Sequence, residues 1–244
     1  MKKRTLFRIM WLAIVIVFLI WNWSTYQSRN LPANTFTSDS TISIEETDDS
    51  FMFKTLHPQS EYEIVFLQGG MVDPKAYAPL CRKLASYGFT SHLLKIPLRM
   101  PVWNQDRILN MFDFKSGKYV LAGHSQGAKI AAQLVYENPT LFQGLILIGS
   151  SHPRDIDMSR ISVPTVKIYA EFDGLASTEK VFANSDKLPF DHELLQVKGG
   201  NHSQFGYIGK LLMDNKPKIA VKEQQHYTFA FMIKFMNKLK NCYQ

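Results

Sequence analysis

The stretch that decides the fold is residues 119–136, which reads YVLAGHSQGAKIAAQLVY. An apolar, strand-like run at residues 119–122 leads directly into Gly123-His124-Ser125-Gln126-Gly127, a G-x-S-x-G pattern, and then into a helix-like stretch at 128–136. In this setting a tight turn lifts the serine hydroxyl out of regular structure, and the glycines keep the strand and the helix from colliding. The pattern predicts that Ser125 is a nucleophile. Because so short a pattern also occurs by chance, the rest of the chain must supply its partners.

The histidines supply the candidates for a catalytic base, because a serine hydroxyl needs a partner that accepts its proton near neutral pH. His202 is favoured by its position in Gly199-Gly200-Asn201-His202, a loop after the last predicted strand, from which it can face the serine turn. His152 stays an alternative, since it follows another predicted strand. His124 is expected to point away from Ser125 and to be structural. The remaining histidines, which lack a comparable loop, are His57, His92, His192 and His226.

An acid is needed to hold the histidine in one tautomer and to stabilise the imidazolium that forms. Asp173 is the favoured candidate because it closely follows a predicted strand and lies between Ser125 and His202 in the chain. Glu171, in the same segment, is the runner-up. The order Ser, Asp, His is the one expected when a serine turn of this kind joins a strand to a helix.

Two backbone amides are predicted to bind the oxyanion that forms when the serine attacks a carbonyl. The first is the N–H of Gln126, which follows Ser125 at the start of the predicted helix, where the helix dipole adds a favourable potential. The second comes from the loop Gln68-Gly69-Gly70-Met71, which follows an apolar strand. We expect the amide of Met71 to fill this role, with Gly70 as the alternative.

Short apolar runs and helical patterns alternate along the rest of the chain, which is typical of an α/β protein with a mostly parallel sheet flanked by helices. Residues 41–45 and 50–56 predict a hairpin at a sheet edge. Further strands are predicted at residues 62–67, 89–95, 118–122, 141–148, 165–170 and 193–197. Helices are predicted near residues 74–87, 103–112, 125–137, 177–184 and 219–239.

The N-terminal residues form a segment of a different kind, in which basic residues precede an uninterrupted apolar run at 9–21. Residues 6–23 would give about 27 Å of helix at ~1.5 Å per residue, which is enough to cross a bilayer. The run ends among Trp21 and Trp23 rather than at small residues, so a retained anchor is favoured over a cleaved signal peptide. The preceding basic residues predict a cytoplasmic N-terminus and therefore an extracytoplasmic domain at the cell membrane.

Composition restricts the classes of function. The formal net charge is +7, but much of it belongs to the N-terminal basic flank, so nucleic-acid binding is not indicated. The two cysteines, Cys81 and Cys242, are expected to be unpaired. No spacing of ligand residues predicts a metal site, and we expect no cofactor. The pattern predicts an anchor at 1–23, a polar linker at 24–40 and one catalytic domain at 41–244.

Taken together, these residues resemble the α/β-hydrolase fold family over roughly residues 41–244. More narrowly, the chain looks like a bacterial group of small, often membrane-anchored, dienelactone-hydrolase-like serine hydrolases. That similarity rests on Phe66-Leu67-Gln68-Gly69-Gly70, Tyr77-Ala78-Pro79-Leu80, the serine turn and Gly199-Gly200-Asn201-His202-Ser203-Gln204-Phe205-Gly206. The resemblance implies Ser125, Asp173 and His202 as a catalytic triad. The Gln68-Gly69-Gly70 loop departs from the His-Gly loop of lipases and esterases.

The lid domains of this family follow the strand after the serine helix, where this chain has only residues 150–163 between two predicted strands. An uncovered site suits short acyl esters or an exposed ester on a larger molecule. The expected function is therefore a membrane-anchored serine hydrolase that cleaves small-molecule carboxylic esters through an acyl-enzyme. The alternative is a catalytically idle member of the same fold that binds a partner or ligand at the cell envelope. The sequence leaves the oligomeric state open.

Overall fold

Eight strands and six α-helices are present in residues 3–242, the part of the chain that the computed structural model describes. In chain order the strands are β1 (Ile42–Glu46), β2 (Ser50–Thr55), β3 (Glu63–Leu67), β4 (Ser91–Leu94), β5 (Tyr119–His124), β6 (Gly144–Ile148), β7 (Thr165–Ala170) and β8 (His192–Val197). The helices are α1 (Lys3–Thr25), α2 (Ala78–Ser86), α3 (Gln105–Asn110), α4 (Gln126–Glu137), α5 (Thr178–Phe182) and α6 (Val221–Cys242).

These strands join one sheet in the order β1-β2-β4-β3-β5-β6-β7-β8. Strands β1 and β2 pair antiparallel at one edge, with Ile42 opposite Thr55, and strands β3 to β8 run parallel to one another. The predicted edge hairpin and mostly parallel sheet are therefore confirmed. Because β3 lies between β4 and β5, the strand order reverses there, and the carboxyl ends of these strands form a crevice suited to a ligand.

The parallel strands are buried on both faces, as is usual for parallel sheets. Val120 and Ala122 of β5 face a core layer shared with Leu84 of α2 and Met232 of α6. Leu121, between them, faces the opposite layer beneath α4. Burial on both faces explains why β5 is an unbroken apolar run, and it holds the loops at the strand ends on a rigid frame.

Several predicted elements are shorter than the sequence pattern indicated, and in two of them a 3₁₀ turn is the reason. The helix predicted at residues 103–112 is α3, with only 6 residues, because Pro101 begins a separate 3₁₀ turn before it. The strand predicted at residues 141–148 begins only at Gly144, since Leu141 closes another 3₁₀ turn. Neither difference changes the order of the sheet.

Helix α1 exposes its apolar side chains along its length. It spans 23 residues, its most apolar window has a mean hydropathy of 2.0, and none of that window is buried. By length and composition α1 could cross a membrane, and a signal sequence near an N-terminus would have the same character. The predicted apolar helix is therefore present, whereas its insertion and sidedness stay predictions.

The segment after α1, which the sequence predicts as a polar linker, lies against the domain in the structure. The carbonyls of Thr25 and Tyr26 accept hydrogen bonds from the amides of Gly209 and Asp73, each at 2.9 Å. Further along, the ring of Phe36 packs against the ring of Phe51 in β2, with centroids 5.2 Å apart. A polar composition is typical of a flexible linker. Here, however, the backbone carbonyls of the segment accept hydrogen bonds from loops of the domain, so the segment is docked.

The cysteine Cys81 lies buried on α2 with a free thiol, as expected. Burial raises the pKa of this thiol, so little reactive thiolate forms at neutral pH. The side chain of Cys242 lies outside the described residues, and its state stays a prediction.

Candidate active site

Ser125 lies in a strained turn between β5 and α4, where the sequence pattern predicted it. Its backbone has φ 54° and ψ −114°, a conformation that costs a non-glycine residue about 1–3 kcal/mol. Its N–H donates to the Ile148 carbonyl at 2.9 Å, which holds the turn against β6. A Cβ on Gly123 would lie 2.4 Å from the backbone of Gly127, and one on Gly127 would lie 2.3 Å from the Leu67 carbonyl oxygen. Both positions therefore require glycine.

His202 and Asp173 form a buried pair beside this turn. Nδ1 of His202 lies 2.8 Å from Oδ2 of Asp173. The second carboxylate oxygen of Asp173 accepts hydrogen bonds from the amides of Leu175 and Ala176, at 2.8 and 2.6 Å. Burial raises the pKa of Asp173, but the charge of His202 and these hydrogen bonds outweigh it and bring the pKa below its ordinary value. The carboxylate is therefore ionised at neutral pH and faces the histidine.

Ser125 and His202 line one open cavity of about 280 Å³ at the carboxyl ends of the parallel strands. No hydrogen bond joins their side chains within the described part of the chain; in sites without substrate such contacts are often long. The structure thus brings Ser125, Asp173 and His202 together from the ends of β5, β7 and β8. Other residues around the cavity include Gln126, Lys129, Ser151, His152, Arg154 and Leu175.

Glu171, the alternative acid, is turned away from His202. Its Oε2 accepts a hydrogen bond from the Gly199 amide at 2.8 Å. The amide of Phe172 donates to the Gly200 carbonyl at 2.8 Å, so the acid loop and the histidine loop are bonded to each other. Glu171 therefore supports the loop that carries His202 and does not compete with Asp173 for the imidazole.

The entrance of the cavity carries two cationic side chains, Lys129 and Arg154. Nζ of Lys129 lies 3.7 Å from a carboxylate oxygen of Asp155, which is largely exposed. His152, the alternative base, also borders the cavity. Its burial and then the charges of Arg154 and Lys129 lower its pKa to about 4, so it is uncharged at neutral pH. The mouth is therefore polar and predominantly positive.

The amide of Met71, our first choice for the second oxyanion donor, already has a partner. It donates to the Arg99 carbonyl at 2.7 Å. The neighbouring amide of Gly70 makes no hydrogen bond to the described residues. A Cβ on Gly70 would lie 3.0 Å from the side chain of Gln126, so this glycine lies against the residue that follows the serine. Of the two candidates, Gly70 therefore has the amide that is free among the described residues, and we take it as the proposed second donor.

His124 is buried behind the serine turn, and it contacts the site more closely than its sequence position suggested. The Gly69 amide donates to the Tyr77 hydroxyl at 3.1 Å, and that hydroxyl lies 2.7 Å from Nδ1 of His124. Burial, followed by the charge of the neighbouring His202, lowers the pKa of His124 well below its ordinary value. His124 is thus a neutral link between the Gly-Gly loop and His202.

Asp214 is a site residue that the sequence reasoning missed. Its Oδ1 accepts hydrogen bonds from the amides of Gly174 and His202, at 3.1 and 3.3 Å. Its Oδ2 accepts from the amide and the hydroxyl of Ser203, at 2.7 and 2.6 Å. This buried carboxylate therefore ties the acid loop to the histidine loop. In the sequence it is one aspartate in the long loop after β8, and only its tertiary partners identify it.

The fold agrees with comparisons against known proteins. A family model described as alpha/beta hydrolase family matches residues 63–226, well over half of the chain. The protein therefore belongs to the alpha/beta hydrolase family. No curated protein matches the sequence.

Solved structures share the fold at low sequence identity. One is a predicted CIB-like hydrolase from Thermoplasma acidophilum, 12% identical with a TM-score of 0.57 over 79% of this chain and 99% of that one. Another is MGS-MChE2, an alpha/beta hydrolase enzyme from a sediment metagenome of the Mar Chica lagoon, Morocco, 16% identical with a TM-score of 0.60 over 80% and 99%. A third is Est1E from Butyrivibrio proteoclasticus, 12% identical with a TM-score of 0.51 over 81% and 100%. At this level of identity, these similarities show the fold alone. Membership of the narrower dienelactone-hydrolase-like group stays a prediction.

Proposed function

We propose that this protein is a membrane-anchored serine hydrolase that cleaves carboxylic esters with a short or exposed acyl group. The observation that carries the proposal is the buried contact of 2.8 Å between His202 Nδ1 and Asp173 Oδ2, beside a cavity that Ser125 and His202 share. A strained serine turn and a paired histidine at one cavity are what acyl transfer requires.

The reaction begins when Oγ of Ser125 attacks the ester carbonyl and its proton passes to Nε2 of His202. The carbonyl oxygen becomes an oxyanion, which accepts hydrogen bonds from the amides of Gln126 and Gly70. Asp173 keeps the imidazole oriented and stabilises its positive charge. The leaving alcohol takes the proton from His202, and the acyl group stays on Ser125. Water then attacks the acyl-enzyme, gives its proton to His202, and the serine is restored as the acid departs.

The size and openness of the cavity support a small substrate. Its volume is about 280 Å³, at the lower limit of small-molecule sites. The loop between β6 and β7 contains no helix or strand, so no inserted lid covers this side of the site. Short acyl groups, or an ester that protrudes from a larger molecule, suit this geometry.

The membrane part of the proposal rests on α1 and its flanks. The apolar helix ends in Trp21 and Trp23, which suit a membrane interface, and basic residues precede it. The basic flank supports a cytoplasmic N-terminus and an extracytoplasmic catalytic domain. In intact cells an added protease should therefore digest the domain; full protection of the domain would reverse the assigned orientation.

A fluorophosphonate probe tests the chemistry, because it reacts covalently with activated serines. We expect the folded wild type to be labelled, Ser125→Ala to be unlabelled and His202→Ala to react only slowly. Ser151→Ala is the matched control, since Ser151 lines the same cavity but lies outside the serine turn; it should label like the wild type. Absence of labelling in folded wild type would overturn the hydrolase proposal and favour the idle binding module.

p-Nitrophenyl esters of increasing acyl length test the substrate size. Turnover should be highest for acetate or butyrate and should fall for long chains. A strong preference for long chains would contradict the small open cavity.

A further inference from the structure

The end of α1 is bonded directly to the loops that surround the candidate active site. The Thr25 carbonyl accepts from the amide of Gly209, on the loop that carries His202, and the Tyr26 carbonyl accepts from the amide of Asp73, on the loop that carries Gly70. Thr25 is the last residue of the helix. No free chain therefore separates the membrane-type helix from the catalytic edge of the sheet. By catalytic edge we mean the loops at the carboxyl ends of the parallel strands, which surround the candidate active site.

Arg99, in the loop after β4, contacts both the end of α1 and the loop that carries Gly70. Its guanidinium lies over the ring of Trp23, 4.9 Å from the centroid, and donates to Oε1 of Gln27 at 3.1 Å. Its carbonyl accepts the amide of Met71, next to the proposed oxyanion donor Gly70. Arginine and tryptophan are typical of the headgroup layer of a membrane. The loop after β4 thus contacts both the last turn of α1 and the Gly-Gly loop.

Apolar side chains on this edge of the sheet point into solvent. Leu98, beside Arg99, is 81% exposed, and both residues have positive φ, 54° and 55°, which is unfavourable for residues other than glycine. Leu212 and Met213, on the loop after β8, are also exposed, the latter to 74%. Exposed leucine and methionine side chains on loops at one end of the sheet suit contact with an apolar partner or a membrane.

We propose that the catalytic edge of the sheet rests on the membrane surface, with Leu98, Leu212 and Met213 in the headgroup layer, and that Ser125 acts on esters located there. A bilayer is the occupant because α1, the helix suited to cross it, ends within hydrogen-bond distance of these loops. The inference rests on the proposed function for the chemistry of the site. It adds where the substrate is found: among amphipathic molecules held at the bilayer surface, whose ester lies at the headgroup level.

A fluorescent probe at two sites tests the geometry in the full-length protein reconstituted in phosphatidylcholine vesicles. An environment-sensitive maleimide is attached to Leu98→Cys or to Phe190→Cys, each in a Cys242→Ser background, with the buried Cys81 left in place. Phe190 is the matched control, because it is 95% exposed but precedes β8 and so lies at the opposite edge. A nitroxide on the lipid headgroup should quench the probe at position 98 several-fold more than the probe at 190. Equal quenching, or stronger quenching at 190, would overturn the proposal.

Activity on two forms of one short ester provides the second test. The same fluorogenic acetyl ester is offered free in solution and attached to a phosphatidylethanolamine headgroup in the vesicles. In the double variant Leu98→Asp with Leu212→Asp, turnover of the lipid-borne ester should fall about tenfold, while turnover of the soluble ester stays unchanged. Phe190→Asp should change neither.

The outcomes separate this inference from the proposed function. A wild type that cleaves neither ester would refute the hydrolase itself. Suppose that the wild type cleaves the soluble ester, but the double variant changes the turnover of both substrates equally or of neither. That result would refute the membrane-facing site alone. Circular dichroism of each variant shows whether the fold is retained.

Discussion

The imidazole rings of His124 and His202 lie with their centroids 4.6 Å apart, at an interplanar angle of 46°. Two charged rings at this distance would repel each other strongly in a buried site. Tyr77 bonds Nδ1 of His124, and burial lowers the pKa of His124 well below its ordinary value. When His202 accepts a proton during the reaction, its neighbour is therefore neutral.

The neutral state of His124 gives the stability of the fold a pH dependence. In the unfolded chain the histidine binds a proton with its ordinary pKa of 6.5, whereas in the folded protein it does not. Acidification below that value therefore favours unfolding, by up to about 1.4 kcal/mol per pH unit from this residue. Urea unfolding of the wild type between pH 7.5 and 5, in about half-unit steps, measures this slope. His124→Asn should reduce the slope to the part that His152 contributes, since burial also lowers the pKa of His152 to about 4.

The exposed His57 provides the control for that experiment. Because its surroundings leave it in water, His57→Asn should keep the wild-type slope. If the His124 variant and the wild type lose stability equally on acidification, the buried neutral histidine is not the cause.

Asp173 and Glu171 give opposite expectations for the catalytic acid. Asp173→Asn should lower kcat for p-nitrophenyl butyrate by about four orders of magnitude, because the asparagine no longer stabilises the imidazolium or fixes its tautomer. Glu171→Gln should retain most of the activity, since its carboxylate bonds the Gly199 amide. The reverse result would make Glu171 the acid.

Asp214 should matter for both stability and turnover, although it does not reach the cavity. Replacing it by alanine leaves the partly buried amide of Gly174 and the buried amide of Ser203 without their acceptor. We expect Asp214→Ala to lower the free energy of unfolding by about 3 kcal/mol and to reduce kcat more than it raises KM. The exposed Asp186 is the control, and Asp186→Ala should change neither quantity. A stable, fully active Asp214→Ala would contradict the role of this carboxylate.

Gly127 tests the packing of the serine turn. A methyl group there would lie 2.3 Å from the Leu67 carbonyl oxygen, so β3 or α4 would have to move. Gly127→Ala should cost about 3 kcal/mol or more and abolish labelling by a fluorophosphonate. Gly117→Ala has room, with the nearest atom 3.7 Å away, and should cost only about 1 kcal/mol for its positive φ. Thermal unfolding followed by circular dichroism compares the two.

The charge at the cavity mouth should appear in substrate preference. Lys129 and Arg154 line the cavity, so an ester with a carboxylate on its acyl chain should be bound better than a neutral ester of equal length. Arg154→Glu should lower kcat/KM for mono-p-nitrophenyl glutarate about tenfold relative to p-nitrophenyl valerate. Lys54→Glu removes the same kind of charge on the distant strand β2 and should leave the ratio unchanged.

Several features could be predicted because they depend on short stretches of chain. The serine turn is encoded locally, by Gly123 and Gly127 on either side of Ser125 between a strand and a helix. The position of His202 after the last strand followed from the same logic, because parallel strands all end at one edge of the sheet. Asp173 was favoured over Glu171 on position alone, and the contact to His202 agrees with that choice.

Other features depend on which distant backbone groups meet, and no local pattern records this. The amide of Met71 donates to the Arg99 carbonyl, so the proposed oxyanion donor is the neighbouring amide of Gly70. Asp214 acts through groups on two other loops, which are adjacent only in the folded chain.

The N-terminal region shows most clearly which features the sequence determines and which depend on the tertiary structure. The sequence by itself determined that α1 is a long apolar helix, since hydropathy and the flanking charges are properties of that segment alone. It also predicted the family, which the family model confirms, and Ser125 as the nucleophile, which stays a proposal. Only the tertiary structure decided that the helix ends against the catalytic edge, because the hydrogen bonds from Gly209 and Asp73 to Thr25 and Tyr26 depend on loops far away in the chain. A composition that suits a flexible tether does not exclude docking when backbone groups elsewhere are free to pair with it.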